Sequence, residues 1–444
     1  MRKISIALLS AIMMTTSIAA QTIKGVVKNA SSETKFSLRT IGDRPIQEIP
    51  IENGSFLVEN LKLKEGFYLI RKDNSTEQVY LKPTDELIIS FDAQKFDETL
   101  SYAGEGSEAN NYLVIKGKLQ LERKKDTDKF YEGNENDYKK KILALQKEIK
   151  ELLAEVSSKS FKKEEEKNLR YGYLFDIYNY PNMMKFNFGK KVTVPKSFFS
   201  ELKGVNFDNA AKYLKYPNYK YLAGTKWKKD VENARSFEEM SDIMQTIRSK
   251  HIFVDVIINS FYRIADTPEK SKMHFDLIKK FVPNEAFIKE AKAEYEKVKA
   301  TSNGKKAPNF KFNNRDGKSV ELASFKGKYV LIDIWATWCV PCLKQVPYLK
   351  KLEKKYHDKN IVFVGISVDD KDEYKLWKET LDKKEMGGVQ LFADKSFESD
   401  FVDAFGVASI PRFILISPEG IIVESHFSKP SHKVTEERLD ALLK

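Results

Sequence analysis

The sequence predicts a multidomain chain with an N-terminal all-β, sandwich-like domain, a central, mainly α-helical domain and a C-terminal α/β domain. Three observations predict this order. Short runs that alternate apolar and polar residues recur over residues 21–102. Apolar residues then recur at helical spacing over residues 108–300, and strand-like and helix-like stretches alternate beyond residue 305. At 444 residues, the chain is long enough for several domains, each with its own core.

Residues 1–20 are predicted to be a secretory signal peptide. A basic start at residues 1–3 precedes an apolar run at residues 4–14, and small residues follow up to Ala19 and Ala20. A membrane anchor is the alternative, but the run is shorter than the roughly 20 residues that a membrane span needs. We therefore expect cleavage after Ala19 or Ala20. The product should be an exported protein, soluble in the periplasm of a Gram-negative cell, that does not span the membrane.

The β domain is assigned to residues 21–103. Its strand-like runs are rich in β-branched and aromatic residues, and Asn53-Gly54 between two of them predicts a two-residue hairpin. We expect a small sandwich or open barrel that serves as a scaffold or docking surface, since nothing in it indicates catalysis. The runs are residues 22–28, 35–41, 46–52, 56–58, 67–71, 78–81 and 86–91.

The helical domain is assigned to residues 104–300, after a glycine-containing boundary at residues 104–107. Leu145, Ile149 and Leu152 recur at helical spacing, with lysine and glutamate on the opposite face. Lysine-rich helices of this kind contribute to a formal net charge of +12. Nucleic-acid binding is the alternative explanation of that charge. Because acidic residues are interleaved throughout, we expect solvated helix faces and no nucleic-acid partner.

The C-terminal domain is assigned to residues 305–444, after a linker at residues 301–306. Strands and helices alternate in it, and residues 418–420 are predicted to form the turn between its last two strands. The predicted strands are residues 329–335, 361–368, 389–392, 412–417 and 421–424, and the predicted helices are residues 341–356, 374–384, 397–405 and 435–443.

A pair of cysteines lies where the first of these strands meets its helix. The strand is followed by Cys339-Val340-Pro341-Cys342, in which Pro341 suits a first helical turn. Cysteines three apart at a helix start bring their sulfurs close enough for a disulfide. Cys339 is expected to be the nucleophile, because unpaired N–H groups at a helix N-terminus favour its thiolate. Cys342, one turn further on, is expected to resolve a mixed disulfide.

A zinc site is the alternative interpretation of two cysteines at this spacing. Structural zinc sites need four Cys or His ligands, whereas this chain has two cysteines and five scattered histidines without paired spacing. We therefore expect no metal. The lack of further cysteines suits a dithiol that exchanges electrons, because no other thiol can mispair with it.

Several motifs of the C-terminal domain recur in a known family. They are Trp-Ala-Thr-Trp-Cys-Val-Pro-Cys at residues 335–342, then Pro347 and Ser409-Ile410-Pro411, with supporting segments at residues 307–310, 316–318 and 325–328. On these residues the domain resembles the thioredoxin superfamily, and within it the TlpA/ResA-like exported thiol–disulfide oxidoreductases. The β domain weakly resembles the domain of unknown function that often precedes such modules. The resemblance implies a thioredoxin-like fold for residues 305–444.

The resemblance also implies roles for residues near the dithiol. Pro411 matches the cis-proline of the superfamily, and in that family the backbone of the preceding residue, here Ile410, pairs with the substrate chain as an added strand. A trans proline at a strand start is the alternative. Trp338, Val340 and Pro341 are expected to border the same substrate groove.

Asp333 lies six residues before Cys339 on the predicted buried strand, so burial should raise the pKa of its carboxyl group. We expect it to take the proton of Cys342 during resolution, directly or through water, as the matching aspartate of thioredoxins suggests. A purely structural hydrogen-bonding role is the alternative. Gln345 departs from the family pattern, which usually has glutamate three residues after the second cysteine, so any tuning of the thiols by that acid is in doubt.

The resemblance implies thiol–disulfide exchange on protein disulfides, with a role in cell redox homeostasis. Reduction is the first hypothesis, because TlpA/ResA-like proteins mostly reduce. An oxidase or isomerase is the second, and a partner-binding protein whose thioredoxin-like domain senses redox state is the third. A reductase outside the cytosol implies a membrane-embedded thiol electron donor as partner. The Cys339–Cys342 disulfide would serve without metal or organic cofactor.

Overall fold

The structure is a computed structural model that describes residues 21–393 and 395–444. The predicted signal peptide, residues 1–20, lies outside the described residues. The chain forms two compact units. One holds the described chain up to Tyr178 with Lys196–Lys203 and Ala211–Leu222, and the other holds Asn179–Pro195, Gly204–Ala210 and Ala223–Lys444. None of the helices in the described residues is long and apolar enough to cross a bilayer.

The N-terminal region is a sandwich of two sheets. Its elements are β1 (Gln21–Lys28), β2 (Phe36–Arg39), β3 (Pro45–Glu48), β4 (Ser55–Leu61), β5 (Gly66–Lys72), β6 (Ser75–Leu81), β7 (Glu86–Asp92), the one-turn helix α1 (Phe96–Thr99) and β8 (Ser101–Gly104). One sheet has the order β4-β1-β7-β8, in which β1 and β7 are parallel. The other has the order β3-β2-β5-β6 and is antiparallel. The predicted sandwich-like fold is therefore confirmed.

Aromatic side chains fill the space between the two sheets. The ring of Phe36 lies 5.1 Å, centroid to centroid, from the rings of both Phe56 and Phe91. Leu38 from the same sheet as Phe36 and Ile89 from the opposite sheet are fully buried beside them. Each such side chain contributes about 1.5–3 kcal/mol through removal from water, so alternation within the strands specifies this core.

The predicted hairpin at Asn53-Gly54 is only partly right. Both residues have the left-handed backbone that a tight turn requires, with φ of 50° and 71°. However, β3 pairs with β2 and β4 pairs with β1, and only the isolated Glu52–Ser55 bridge closes the turn. The chain crosses here from one sheet to the other, which brings Phe56 into the shared core.

The central region is helical, as predicted. Its helices are α2 (Ser107–Lys124), α3 (Thr127–Tyr131), α4 (Glu135–Glu155), α5 (Lys159–Phe188), α6 (Ala210–Lys215), α7 (Pro217–Asn233), α8 (Phe237–Thr246), α9 (Lys250–Asp266), α10 (Ser271–Phe281) and α11 (Glu285–Ala300). Buried Asn110 of α2 bonds to the N–H and the C=O of Tyr80 in β6, at 2.7 Å and 2.8 Å. The first helix thus satisfies backbone groups at the edge of the sandwich. The domain boundaries at residues 103 and 300 stay predictions.

The C-terminal region is an α/β domain around a seven-stranded sheet. Its elements are β9 (Lys311–Asn314), β10 (Ser319–Glu321), β11 (Tyr329–Trp335), α12 (Val340–Leu343), α13 (Val346–Lys355), β12 (Ile361–Ser367), α14 (Tyr374–Lys384), β13 (Val389–Phe392), α15 (Asp400–Ala404), β14 (Arg412–Ile416), β15 (Ile422–Phe427) and α16 (Lys433–Leu442). The strand order is β10-β9-β13-β12-β11-β14-β15. The strands β11, β12 and β13 are parallel, and β14 runs antiparallel to β11.

The strand β11 lies inside this sheet and is covered on both faces. Ile332 and Ile334 belong to the core cluster that contains both cysteines, whereas Leu331 packs with Leu349 of α13 in the cluster on the other face. This alternation explains why the strand is a nearly unbroken apolar run, as parallel strands buried on both faces are.

Two predicted helices are interrupted. The helix predicted at residues 341–356 divides into α12 and α13, because Pro347 has no N–H to bond to the Leu343 carbonyl and its ring crowds the preceding turn. The helix predicted at residues 397–405 divides into a 3-10 turn, Ser396–Glu398, and α15. Ser399 between them has an extended backbone, with φ of −64° and ψ of 137°, and its hydroxyl accepts the Lys395 N–H at 3.1 Å.

The predicted linker at residues 301–306 is part of the C-terminal domain. The Gly304 N–H donates to the Ile422 carbonyl, and the Ile422 N–H donates to the Lys305 carbonyl, both at 2.8 Å. The Asn303 side chain accepts the Ser425 N–H at 3.1 Å. The segment therefore lies along β15 as an additional edge of the sheet, and polar composition alone did not reveal this pairing.

Candidate redox site

The two cysteines lie at the end of the central strand. After β11 ends at Trp335, Cys339 occupies the N-cap position of α12 and is joined to Cys342 by a disulfide, with 5.2 Å between their Cα atoms. That separation lies in the ordinary range for disulfides. The Cys342 N–H points at the Cys339 sulfur, 3.2 Å away. The helix α12 is only four residues long, so its macrodipole is small. This single N–H is therefore the main local source of stabilisation for a Cys339 thiolate.

The dithiol is covered, but its neighbours are not. Cys339 is 4% exposed and Cys342 is 2% exposed, whereas Trp338 is 54% exposed and Val340 is 62% exposed. Pro341 is also exposed. These three exposed residues form an apolar rim around the dithiol. A substrate disulfide that reaches Cys339 must therefore pass over this rim. Trp338, Val340 and Pro341 are the exposed residues beside the dithiol, and their role in a substrate groove stays a prediction.

The loop before β14 lies beside the same strand end. Ile334 of β11 is paired with Arg412 of β14, so the preceding residues, Ile410 and Pro411, lie next to the end of β11. The Ile410–Pro411 peptide bond is cis, as predicted. Ile410 is half-buried and packs against the core cluster that contains both cysteines. The fold thus brings this distant motif to the dithiol.

Asp333 lies in β11, two residues before its end. The residue is 5% exposed, and no described residue hydrogen-bonds to its Oδ1 atom. Burial, with a smaller contribution from the charge of Glu353, raises the pKa of Asp333 to about 8. The predicted rise is confirmed, and a carboxyl group with such a pKa can hold or release a proton near neutral pH. Its partner in proton transfer stays a prediction.

Asp369 is a buried acid that the sequence analysis missed. Its Oδ1 accepts the Thr337 N–H at 2.9 Å and the Thr337 hydroxyl at 2.7 Å, and its Oδ2 accepts the Ser367 hydroxyl at 2.6 Å. These bonds hold the loop between β11 and Cys339. The signal in the sequence was an acid directly after the strand next to β11, because the carboxyl ends of parallel strands form the functional edge of such sheets.

Gln345 is the residue that departs from the family pattern, which usually has glutamate at this position. It is buried, and its Oε1 accepts the Ser431 N–H at 3.0 Å. Its amide therefore ties the turn between α12 and α13 to the segment before α16, which is a structural contact. No group of three or more His, Cys, Asp and Glu side chains suited to a metal occurs within the described residues.

A strand, a dithiol and a short helix in this order, with a cis-proline loop alongside, define a thioredoxin-like redox domain. Residues 302–443 match the family described as Redoxin. The chain is 33% identical over 154 residues to the thiol-disulfide oxidoreductase ResA of Bacillus thuringiensis subsp. konkukian, across 34% of this chain and 81% of the relative. It is 31% identical over 138 residues to the thioredoxin-like protein YneN of Bacillus subtilis, across 31% of this chain and 78% of the relative.

A solved structure, the thioredoxin domain of a thiol-disulfide oxidoreductase from Bacteroides vulgatus, is 29% identical with a TM-score of 0.30, over 32% of this chain and 99% of that chain. The chain belongs to the TlpA/ResA-like family of the thioredoxin superfamily. It is a thiol–disulfide oxidoreductase with a redox-active Cys339–Cys342 pair. These alignments cover the C-terminal third of the chain, so the function of the sandwich and of the helices does not follow from them.

Proposed function

We propose that the protein is an exported reductase of protein disulfides. The observation that carries the proposal is the position of the Cys339–Cys342 pair at the end of β11, with Ile410 of the neighbouring loop packed against the core cluster that contains both cysteines. A buried dithiol beneath an exposed apolar rim suits a substrate that is itself a polypeptide. The ResA relatives support the same chemistry.

The reaction has two exchange steps. The Cys339 thiolate attacks one sulfur of the substrate disulfide, forms a mixed disulfide and displaces the other substrate sulfur as a thiolate. Cys342 then loses its proton and attacks the Cys339 sulfur. The Cys339–Cys342 bond forms, the mixed disulfide breaks, and the second substrate sulfur leaves. The substrate gains two electrons and two protons, and the enzyme dithiol loses them.

Three residues assist these steps in our proposal. Asp333, whose pKa is raised to about 8 by burial, receives the proton of Cys342 directly or through water. The backbone of Ile410 pairs with the extended substrate chain as an added strand. Pro411 keeps that backbone beside the dithiol.

The cycle needs a source of electrons outside the cytosol. Cleavage of the predicted signal peptide at residues 1–20 would place the protein in the periplasm. Because the oxidised enzyme must be reduced there, we propose a membrane-embedded thiol donor as its partner. The cycle uses no metal and no organic cofactor.

The reduction potential of the Cys339–Cys342 pair tests the direction of the reaction. Equilibration with a thiol redox buffer should give a value near or below about −250 mV, close to that of thioredoxin. A value near about −120 mV, that of a strong oxidant, would identify a disulfide donor instead.

A trapping experiment tests the two cysteine roles. Cys342→Ala should accumulate mixed disulfides with exported proteins, because the resolving thiol is missing, and Cys339→Ala should accumulate few. Non-reducing electrophoresis of the two variants measures the difference. More adducts with Cys339→Ala would show that the roles are reversed.

A further inference from the structure

The end of α9 touches the loop that carries Ile410 and Pro411. The Ser409 hydroxyl donates to Oδ1 of Asp266, the last residue of α9, at 3.2 Å. The preceding residue, Ala265, forms a backbone hydrogen bond with the His426 ring in β15. These residues belong to one compact unit. The C-terminal residue of α9, a helix that precedes the redox domain in sequence, therefore contacts the residue directly before Ile410.

A second helix fixes the same segment. Lys297 of α11 forms an ion pair with Asp403 of α15, with 2.6 Å between nitrogen and oxygen. A Cβ atom placed on Gly406 would lie 3.5 Å from the Ala265 side chain and 3.3 Å from Glu294 of α11. The helices α9 and α11 thus pack closely against the segment that leads into the loop that carries Ile410 and Pro411.

One face of α9 remains open to solvent. Within α9, which the structure describes in full, the two exposed large apolar side chains are Ile258, 44% exposed, and Tyr262, 54% exposed. Spacings of four residues place both on the same face as Asp266. With a rise of about 1.5 Å per residue, Tyr262 lies about 6 Å and Ile258 about 12 Å along the axis from the residue that bonds Ser409. These two residues form an apolar stripe that begins about 6 Å along the helix axis from the residue that bonds Ser409.

The Arg263 charge beside this stripe is already paired. Arg263, next to Tyr262 in sequence, lies 2.6 Å from Glu232 and 3.7 Å from Asp266. Its cation is thus occupied by two carboxylates. The stripe offers apolar contact more than charge.

We propose that Ile258 and Tyr262 extend the substrate-binding surface and bind apolar residues that flank the target cysteine of a protein substrate. The proposal rests on the proposed function, since it assigns a substrate class to the same site. A substrate chain paired with Ile410 would continue past Ser409 onto α9. Small disulfides, which have no flanking chain, would not reach the stripe. The helices would then make the enzyme selective for polypeptides.

The test compares two disulfides in single-turnover oxidation of the prereduced full-length protein. For the double variant Ile258→Ser with Tyr262→Ser, the second-order rate constant with insulin should fall about tenfold. The rate constant with oxidised glutathione should change less than twofold, which also shows that the variant is folded. Tyr262→Phe should keep the wild-type rate with insulin, because the apolar ring is retained.

The matched control is Tyr221→Ser, which removes a 60% exposed tyrosine from the other unit and should leave both rates unchanged. Equal insulin rates for wild type and the double variant would overturn the surface proposal alone. An equal fall with both disulfides would also overturn it, because the effect would then lie at the dithiol. If the wild type reduces neither disulfide, the proposed function itself is wrong.

Discussion

Two buried acids in different regions of the molecule differ in what surrounds them. In the helical region, Glu165 is fully buried, and its Oε1 accepts the Lys116 ammonium at 2.7 Å and the Tyr112 hydroxyl at 3.3 Å. Its Oε2 accepts the Asn168 amide at 3.0 Å. Each oxygen has a partner, and a cation balances the charge. Such a group holds helices together.

Asp333 in the redox domain has the opposite surroundings. No cation pairs with it among the described residues, its Oδ1 has no hydrogen-bond partner there, and Glu353 is a nearby acid. Desolvation therefore raises the pKa of Asp333 to about 8. Burial alone does not mark a functional acid. The lack of a partner for Oδ1 is what makes Asp333 the candidate for proton transfer.

The largest destabilisation should come from breaking the ion pair between Lys116 and Glu165. Lys116→Met removes the cation and leaves the Glu165 charge buried, which should lower the free energy of unfolding by about 3–5 kcal/mol. Urea unfolding followed by circular dichroism measures this change. The double variant Lys116→Met with Glu165→Met should recover much of the loss, because neither charge then remains in the interior.

Lys147→Met is the matched control, since the Lys147 side chain is 80% exposed. Its effect on the free energy of unfolding should stay within about 0.5 kcal/mol. If Lys116→Met is as mild as this control, the Glu165 site is not the closed structural pair that the contacts indicate.

Asp333→Asn should raise the free energy of unfolding at neutral pH, the opposite of the effect of Lys116→Met. The folded protein keeps the Asp333 proton up to about pH 8, whereas the unfolded chain releases it near pH 4. The wild type therefore loses stability as pH rises between these values. Asparagine does not titrate, so the stability of the variant relative to wild type should rise by about 4–5 kcal/mol between pH 3 and pH 8. Urea titrations at several pH values measure it.

Above its pKa of about 8, where Asp333 is mostly ionised, the same variant should slow release of reduced substrate from the mixed disulfide by about a hundredfold, because the acceptor of the Cys342 proton is gone. The defect should be smaller at pH 7, where most Asp333 keeps its proton, and it should shrink again at strongly alkaline pH, where Cys342 ionises without help. Asp358→Asn, at a side chain that is 96% exposed, controls for the loss of one charge. A pH-independent stability difference would mean that Asp333 is an ordinary structural group.

Local patterns were sufficient to predict much of the redox domain. The strand at residues 329–335, the helix at 374–384 and the strand at 389–392 were predicted with the bounds that the structure shows. Each is a strong periodic run with clear ends, so local propensity and burial agree. The position of Cys339 at a helix start, the cis bond before Pro411 and the raised pKa of Asp333 also followed from spacing, resemblance and burial.

Features that depend on distant contacts could not be predicted in this way. The transfer of β4 to the sheet of β1 is set by packing of the sandwich core, which the Asn53-Gly54 turn does not encode. The bond between Ser409 and Asp266 joins residues 143 positions apart. The split between α12 and α13, in contrast, has a local cause, since Pro347 removes a backbone hydrogen bond inside the predicted helix.

Substitution of Asp369, a third buried acid, should have the smallest effect on stability and rate. Unlike Asp333, it is buried with every bond made, yet its partner is the loop that carries Cys339. Asp369→Asn puts an amide N–H₂ where Thr337 or Ser367 donates, which should lower the free energy of unfolding by about 1–3 kcal/mol.

Because Asp369 positions the loop before Cys339, Asp369→Asn should also slow reduction of oxidised glutathione about threefold to tenfold at temperatures where the variant is folded. The exposed neighbour offers the control Asp370→Asn, which should change neither quantity. If Asp369→Asn loses stability while its rate with glutathione stays at the wild-type value, Asp369 acts on the fold alone, as Glu165 does.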